Sequence, residues 1–119
     1  MRKQTPVGVR INPSFKKKCD ETFRRLGMNT HAGINLFLTQ MRLHQGIPFE
    51  VALIDAKNMI MTEEKSISLI IKTDEETKSI CTELAKKAGL NLSRAITMYL
   101  VQVVDKQAIP FTILSNEKV

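Results

Sequence analysis

The reactive side chains of this sequence form no catalytic or metal-binding pattern. The two cysteines, Cys19 and Cys81, are not at a spacing typical of metal or redox sites. The two histidines, His31 and His44, have no carboxylate or thiol pattern beside them, and the acidic run TDEET at residues 73–77 is typical of a helix N-terminus. The sequence shows no Ser/His/Asp set and no phosphate-cradling glycine loop. We therefore expect no enzymatic activity, no metal site and no cofactor.

The basic residues are the remaining group with a chemical implication. The chain has 18 Lys and Arg against 12 Asp and Glu, which gives a net charge of +6 and a pI of about 9.6. Residues 1–51 hold nine basic and three acidic residues, whereas residues 52–119 hold nine of each. A basic surface attracts nucleic acid or another anionic partner. Such a surface is expected mainly in the first half of the chain.

Length and composition predict one domain or two very small ones. The 119 residues are 43% hydrophobic and 25% charged, which is typical of soluble globular proteins. No apolar run approaches the roughly 20 residues of a membrane span, and the N-terminal MRKQTPVGVRI lacks an apolar signal core. We expect a cytoplasmic protein with no membrane partner, whose cysteines are reduced and lie in the core.

The sequence repeats with a spacing of 62 residues and no gap. CDETFRRLGMN at residues 19–29 aligns with CTELAKKAGLN at 81–91, and QGIPF at 45–49 aligns with QAIPF at 107–111. Over residues 12–49, twelve of 38 aligned pairs are identical. An ungapped register of this length indicates internal duplication. Two copies suit a pair with approximate symmetry, because a solenoid needs at least three.

Each copy is predicted to be a strand followed by two helices. Alternating apolar residues predict the strands in VGVRI (7–11) and SLIIKT (68–73). Apolar residues at helical spacing then predict two helices in each copy. The inward strand residues are Val7, Val9 and Ile11, and Ile67, Leu69, Ile71 and Thr73. The first-helix stripes are Phe15, Cys19, Phe23 and Leu26, and Cys81, Leu84, Ala85 and Ala88. The second-helix stripes are Ile34, Phe37, Leu38 and Met41, and Ile96, Tyr99, Leu100 and Val103.

Capping residues predict where the helices begin and end. Asn12-Pro13 and Asp74-Glu75 have the residue types favoured at the N-cap and first position of a helix. Glycine ends the first helix of each copy, and asparagine caps the second. The residues concerned are Gly27 and Gly89, and Asn29 and Asn91.

The two copies are expected to form one compact domain. The first copy spans residues 1–51, a linker spans 52–64, and the second copy spans 65–119. Each copy alone is near the lower size limit for a core, and a lone strand leaves its edges unpaired. Pairing the strands as an antiparallel ribbon above four interlocked helices removes both deficits. The linker reaches roughly 40 Å when extended, which favours pairing within one chain over a swap between two chains.

These motifs resemble a known DNA-binding fold. A strand and two helices with a G-[LM]-N turn resemble the ribbon-helix-helix fold. The phrase G-x-N…I-x-x-[FY]-L…Q-x-I-P-F is similar to the N-terminal part of RelB/DinJ-family antitoxins, and the likeness covers nearly the whole chain, twice. The tandem layout also resembles that of TraY-type accessory proteins of conjugative plasmids. The resemblance implies a pseudo-dimeric ribbon-helix-helix unit that binds double-stranded DNA.

The resemblance implies that the outer face of the ribbon enters the DNA major groove and reads base edges. Arg10 and Lys72 occupy matching positions and could each donate to guanine O6 and N7, whereas Ile70 could contact only a thymine methyl. The outer face of the first strand comprises Gln4, Pro6, Gly8 and Arg10, and that of the second comprises Ser66, Ser68, Ile70 and Lys72. Pro6 and Gly8 depart from the family pattern because they supply no polar group.

The resemblance also implies phosphate binding at the start of each second helix, where free amides and the helix dipole attract anions. The implied phosphate-binding residues are Asn29, Thr30, Asn91 and Leu92, together with Arg2 and Lys3 before the ribbon. The cluster Lys16-Lys17-Lys18 is either a solvated face or part of a phosphate-attracting surface.

Four functions are compatible with these features. The first is a transcriptional repressor that regulates its own operon. The second is an accessory protein of plasmid transfer with the same fold and contacts. The third is an antitoxin with a toxin partner, which we disfavour because only TILSNEKV (112–119) follows the second copy. The fourth is a protein-binding module that has lost contact with DNA. Since the copies differ, one chain should prefer an asymmetric half-site, and a second chain would be needed for a longer operator.

Overall fold

The computed structural model describes residues 3–49 and 67–114. Arg2, Ser66 and the predicted linker at 52–64 lie outside the described residues. The described elements are β1 (Gln4–Ile11), α1 (Pro13–Arg25), α2 (Thr30–His44), β2 (Ile67–Asp74), α3 (Glu75–Lys87) and α4 (Leu92–Lys106). The described chain is mostly helical, and its order is consistent with two strand–helix–helix units. Neither described range contains a helix with the length and apolarity needed to cross a membrane.

β1 and β2 of the one chain pair antiparallel as a two-stranded ribbon. The pairing runs from Gln4 opposite Asp74 to Ile11 opposite Ile67. Both strands are therefore longer than the predicted 7–11 and 68–73. Backbone hydrogen bonds set the ends of a ladder, and they do not require the apolar alternation from which the strands were predicted.

One face of the ribbon is buried. The buried residues are Val7, Val9 and Ile11 of β1 and Leu69, Ile71 and Thr73 of β2. These residues are the predicted inward set, apart from Ile67, which is half-buried at the end of β2. The period-two alternation therefore identified correctly which face of each strand covers the core.

The helix ends follow the predicted capping residues. The side-chain oxygens of Asn12 and Asp74 each accept a hydrogen bond from a backbone N–H three residues later, at 2.8 Å. After α1 and α3, Gly27 and Gly89 have φ values of +87° and +81°, a conformation that glycine adopts without steric cost. Ala88 was predicted to be buried but is exposed, because it is the C-cap of α3 and lies at the end of the helix.

The second helices end in a conformation that the sequence did not predict. Gln45 and Gln107 follow α2 and α4 with φ values of 61° and 54°, in the left-handed region. Each donates a backbone hydrogen bond to a carbonyl four residues earlier, Met41 or Val103. Glutamine is not a residue that marks this conformation, so its presence at the cap gave no signal.

The core lies where the two second helices meet beneath the ribbon. Phe37 of α2 stacks on Tyr99 of α4 with ring centroids 4.5 Å apart and planes 9° apart. Phe49 stacks on Phe37, and Phe111 stacks on Tyr99, each at 5.8 Å. The two similar endings, QGIPF and QAIPF, therefore have the same packing role, since each delivers a phenylalanine to this central stack.

The two halves share one core. α1 contacts α4, and α2 contacts α3. Each second helix also contacts the strand of the other half, α4 with β1 and α2 with β2. Cys19 and Cys81 are fully buried within this core, as predicted. Pairing the halves thus covers helices that are apolar on more than one face.

Candidate nucleic-acid interface

The face of the ribbon opposite the core is exposed. All the outer-face residues predicted from the alternation and described in the structure are exposed to solvent: Gln4, Pro6, Gly8, Arg10, Ser68, Ile70 and Lys72. They lie on two adjacent strands and form one continuous surface. The tertiary structure therefore brings the six residues predicted to face the bases together on one two-stranded ribbon: Gln4, Gly8, Arg10, Ser68, Ile70 and Lys72.

The strand register arranges this surface around an apolar centre. Gly8 lies opposite Ile70, with Arg10 opposite Ser68 on one side and Lys72 opposite Pro6 on the other. Arg10 and Lys72 therefore lie on opposite sides of the centre, roughly 14 Å apart along the ribbon for a rise of about 3.4 Å per residue. That separation corresponds to about four base-pair steps of DNA. Arginine donates in a planar fork that fits guanine O6 and N7, and lysine donates as a single point charge.

One end of the ribbon has an acidic neighbour. Gln4 lies opposite Asp74, whose carboxylate accepts hydrogen bonds from the backbone N–H and hydroxyl of Thr77 at 2.8 and 3.0 Å. The backbone N–H of Glu75 donates to the carbonyl of the exposed Lys3 at 3.0 Å. Gln4 and Lys3 therefore lie beside the acidic first turn of α3, a proximity that the sequence alone did not reveal.

Each second helix is bonded to the centre of the ribbon at its first turn. His31 donates from Nε2 to the carbonyl of Ile70 at 3.1 Å, and Ser93 donates from Oγ to the carbonyl of Gly8 at 3.1 Å. His31 and Ser93 are equivalent residues in the 62-residue alignment, and so are Ile70 and Gly8. Sequence reasoning missed this pair of contacts because histidine and serine share no pattern. The only signal in the sequence is that the two residues occupy the same position in the two copies, 62 residues apart.

Two further hydrogen bonds fix the ribbon to the helices. Asn35 of α2 donates from Nδ2 to the carbonyl of Lys72 at 3.4 Å, and Lys78 of α3 donates from Nζ to the carbonyl of Pro6 at 3.0 Å. Both acceptors belong to the same cross-strand pair. These bonds connect the ribbon backbone to one helix of each half, α2 and α3.

The residues predicted to bind phosphate lie at these helix starts, but most of their side chains are occupied or buried. The side-chain oxygens of Asn29 and Asn91 accept hydrogen bonds from backbone N–H groups three residues later, at 2.8 Å. Thr30 and Leu92 are only 3% and 7% exposed. What the helix starts can offer an anion is therefore the backbone N–H groups that have no intrahelical acceptor, with the helix dipole.

The surroundings of the two helix starts differ in charge. Beside α2, Asp20 accepts hydrogen bonds from Thr30 at 2.5 Å and from Lys16 at 2.8 Å. Burial raises the pKa of Asp20, but the hydrogen bonds from Lys16 and Thr30 and the charge of Lys16 outweigh burial and lower this pKa below its usual value. Beside α4, the residue equivalent to Asp20 is Thr82, and the exposed Arg94 lies in the first turn. The first half of the sequence is the more basic one, yet the acidic Asp20 lies beside α2 and the basic Arg94 lies at the start of α4. The charge counts of the two halves do not show this difference.

No group of three or more His, Cys, Asp or Glu side chains in residues 3–49 and 67–114 is placed to hold a metal ion. The buried thiols are also poorly ionised, since burial raises the pKa of Cys19 and of Cys81 to about 12.

A comparison with models of protein families gave a match. The model of the RelB antitoxin family matches residues 65–119, which contain β2, α3 and α4 and are the residues that the sequence analysis assigned to the second copy. The comparisons found no matching relative among curated proteins and no match among solved structures. Residues 65–119 are therefore similar to RelB antitoxins. The match does not extend to the first half, which has the same order of elements.

Proposed function

We propose that this protein binds double-stranded DNA by inserting the β1–β2 ribbon into the major groove, and that it represses transcription of its own operon. The observation that carries the proposal is the exposed outer face of the ribbon, with Arg10 and Lys72 on either side of its centre. A two-stranded ribbon fits the major groove, which is about 12 Å wide. Arginine and lysine are the side chains best suited to guanine there.

We further propose that the chain is a duplicated ribbon-helix-helix unit that acts as a pseudo-dimer. Three observations support this: the recurrence of caps at a spacing of 62 residues, the equal lengths of corresponding elements, and the register that places Gly8 opposite its equivalent Ile70. An approximate two-fold axis then passes through the centre of the ribbon. The protein acts in the cytoplasm and has no enzymatic activity of its own.

The first turns of α2 and α4 supply the phosphate contacts in this proposal. The bonds from His31 and Ser93 hold both turns against the centre of the ribbon, so their free backbone N–H groups have a fixed position relative to the base-reading face. Phosphate contacts of this kind set the register of a protein on the duplex, and base contacts then specify the sequence.

The experiment that tests the proposal is fluorescence anisotropy with duplex DNA from upstream of the gene and with scrambled DNA, at two salt concentrations. The variant Arg10→Ala/Lys72→Ala removes the two proposed base contacts. The matched control, Arg24→Ala/Lys86→Ala, removes one exposed arginine and one exposed lysine from α1 and α3 at the same repeat spacing. Both variants have the same net charge, so a difference between them isolates position.

We expect wild-type binding to weaken with salt, by a log–log slope of about −0.9 per phosphate contact. The ribbon variant should lose roughly 30-fold or more in affinity for the native site, since each lost base contact costs about 1–3 kcal/mol. The control should lose much less. Equal binding to native and scrambled DNA would favour the plasmid-transfer role, and absence of binding at low salt would refute DNA binding altogether.

A second candidate function is that of an antitoxin. The observation that favours it is the match of residues 65–119 to the RelB antitoxin family. The matched residues include the segment that follows α4. This segment is held against α2 by Gln40, which donates to the carbonyl of Leu114 at 2.9 Å and accepts from its N–H at 2.7 Å. Co-expression with the product of the neighbouring gene tests this function. An antitoxin would form a stable complex with that product and restore growth that the product alone arrests.

A further inference from the structure

Gly8 lies in the middle of β1, where the fold does not require a glycine. Its φ is not among the positive values of the described glycines, which belong to Gly27 and Gly89. A Cβ atom added at Gly8 would meet only Cγ1 of Ile70 and the carbonyl oxygen of Leu69, both at 3.9 Å, which is ordinary van der Waals contact. A glycine inside a strand destabilises it relative to alanine, because glycine loses more conformational freedom on folding. Such a glycine often marks a place where a ligand approaches the backbone closely.

The partner of Gly8 across the ribbon is an exposed apolar side chain. Ile70 is 55% exposed although its neighbours Leu69 and Ile71 are buried. Its side chain thus presents apolar area to solvent at the centre of the face assigned to DNA. Among the base edges of the major groove, the only apolar group is the C5-methyl of thymine.

The backbone at the centre of the ribbon is hydrogen-bonded to the second helices. The carbonyl of Ile70 accepts from His31 and that of Gly8 accepts from Ser93, both at 3.1 Å. The two central residues are therefore fixed in position but differ in shape, because one presents a branched side chain and the other none. An approximately symmetric backbone consequently carries an asymmetric surface at its centre.

We propose that the Gly8–Ile70 pair determines sequence specificity at the centre of the DNA site. Ile70 contacts the C5-methyl of one thymine on one strand, and the missing side chain of Gly8 lets the neighbouring base pair approach the ribbon backbone. The inference rests on the proposed DNA binding and goes beyond it by assigning a base and a strand. The recognised site is therefore asymmetric at its centre, even where its flanks are palindromic.

The test begins with selection of binding sites from a pool of random duplex DNA by the full-length protein. Each thymine in the central positions of the selected site is then replaced by deoxyuridine, which removes only the methyl group. Binding by wild type and Ile70→Ala is measured by fluorescence anisotropy. For wild type we expect a loss of about fourfold at a single thymine on one strand, the value for removing one buried methyl group. Ile70→Ala should bind the thymine and deoxyuridine sites equally.

Gly8→Ala tests whether a base pair approaches the ribbon backbone at Gly8. Because the added methyl group meets only ordinary contacts within the chain, the variant should retain its circular dichroism spectrum and melt at an equal or slightly higher temperature than wild type. Its affinity for the selected site should nevertheless fall by at least about fivefold, because overpacking at a close contact costs about 1–3 kcal/mol. A folded Gly8→Ala protein that binds the selected site with wild-type affinity would refute the close approach of DNA at Gly8.

The outcomes separate this inference from the proposed function. Salt-dependent DNA binding that is indifferent to every deoxyuridine, or a methyl dependence that persists in Ile70→Ala, would overturn the inference and leave DNA binding intact. A wild-type protein that binds no DNA at low salt would refute both. A selected site with no thymine at its centre would also overturn the role of Ile70.

Discussion

The two halves of the molecule have helices of the same lengths but pack them with different side chains. In the first half, the fully buried Phe23 of α1 lies against Gly33 of α2. In the second half, the equivalent residues are Ala85 and Ala95. The pairs differ because a Cβ at Gly33 would lie 2.2 Å from the Phe23 ring, so a phenylalanine at one position requires a glycine at the other. A backbone can therefore recur while its side chains diverge, provided that each change in volume is compensated locally.

The differences between the halves extend to the candidate interface. His31 corresponds to Ser93, Gly8 to Ile70, and Asp20 to Thr82. His31 and Ser93 nevertheless make equivalent hydrogen bonds, whereas Gly8 and Ile70 differ in shape and Asp20 has no charged equivalent. The two halves therefore share the hydrogen bonds that position the ribbon on the second helices but differ in the side chains that they expose there.

The largest expected effect comes from breaking the compensation between Phe23 and Gly33. Phe23→Ala should lower the free energy of unfolding by about 3–5 kcal/mol, because it leaves a cavity in the core. Gly33→Ala should lower it by about 2 kcal/mol or more, because the Phe23 ring is fully buried and cannot easily move away. The double variant reproduces the pair found in the second half and should cost clearly less than the sum. Urea denaturation followed by circular dichroism measures all three.

The matched control for this cycle is Ala95→Gly in the second half. It removes a methyl group at the equivalent of Gly33, in the half where Phe23 is replaced by Ala85, so it should cost only about 1 kcal/mol of helix propensity plus a small cavity. Additive costs of Phe23→Ala and Gly33→Ala would show that the two side chains are not coupled.

The next largest effect is expected at Tyr99, which stacks on its equivalent Phe37 in the centre of the core. Tyr99 donates its buried hydroxyl to the carbonyl of Gly33 at 2.8 Å, whereas its equivalent Phe37 has no hydroxyl. Tyr99→Phe should lower the free energy of unfolding by about 1 kcal/mol while preserving the ring stack. Burial raises the pKa of Tyr99 above its usual value, so the wild-type phenol should not ionise at alkaline pH until the protein unfolds. Ultraviolet difference absorbance with pH would contradict this if the folded protein titrated like free tyrosine.

A smaller effect is expected at Asp20, which has no acidic equivalent in the second half. Its pKa is lowered in the folded protein, so its contribution to stability is fully present above its unfolded pKa of about 3.9 and is lost as pH falls through its folded pKa. Asp20→Asn should cost about 0.5–1 kcal/mol near neutral pH, because the pair with Lys16 is well exposed to solvent. The difference between wild type and variant should shrink as denaturation curves are recorded toward lower pH. If the difference in unfolding free energy between wild type and variant did not change with pH, its cause would be hydrogen-bond geometry and not the charge of the carboxylate.

The smallest effect is expected at the two cysteines, whose reactivity should be the same in both halves. Cys19 and Cys81 are both fully buried, and burial raises the pKa of each thiol to about 12. At pH 8 the thiolate fraction should be roughly a thousandfold lower than that of an ordinary cysteine. We expect neither thiol of the folded protein to react with a thiol-specific reagent at a measurable rate. Rapid reaction in a Cys19→Ala or Cys81→Ala variant would show that the remaining thiol lies in a locally opened half.

Several features of the fold could be predicted from the sequence because they depend on local rules. Asn12 and Asp74 begin helices because their side chains bond nearby N–H groups, and Gly27 and Gly89 end helices because glycine tolerates positive φ. The exposure of Arg10 and Lys72 followed from the alternation of each strand. By contrast, the left-handed Gln45 and the burial of Thr30 depend on contacts that no local pattern encodes.

The sequence by itself determined the elements, the N-caps of the helices, the glycines that end the first helices, the face of each strand that is buried, and the spacing of 62 residues at which these features recur. These features arise from interactions between residues close in the chain. Only the tertiary structure decided that Gly8 lies opposite Ile70 and that His31 and Ser93 bond to the carbonyls of this pair. The physical reason is that register and helix-to-strand contacts join residues 39 to 85 positions apart, whose relative placement is fixed by packing the shared core and not by local propensity.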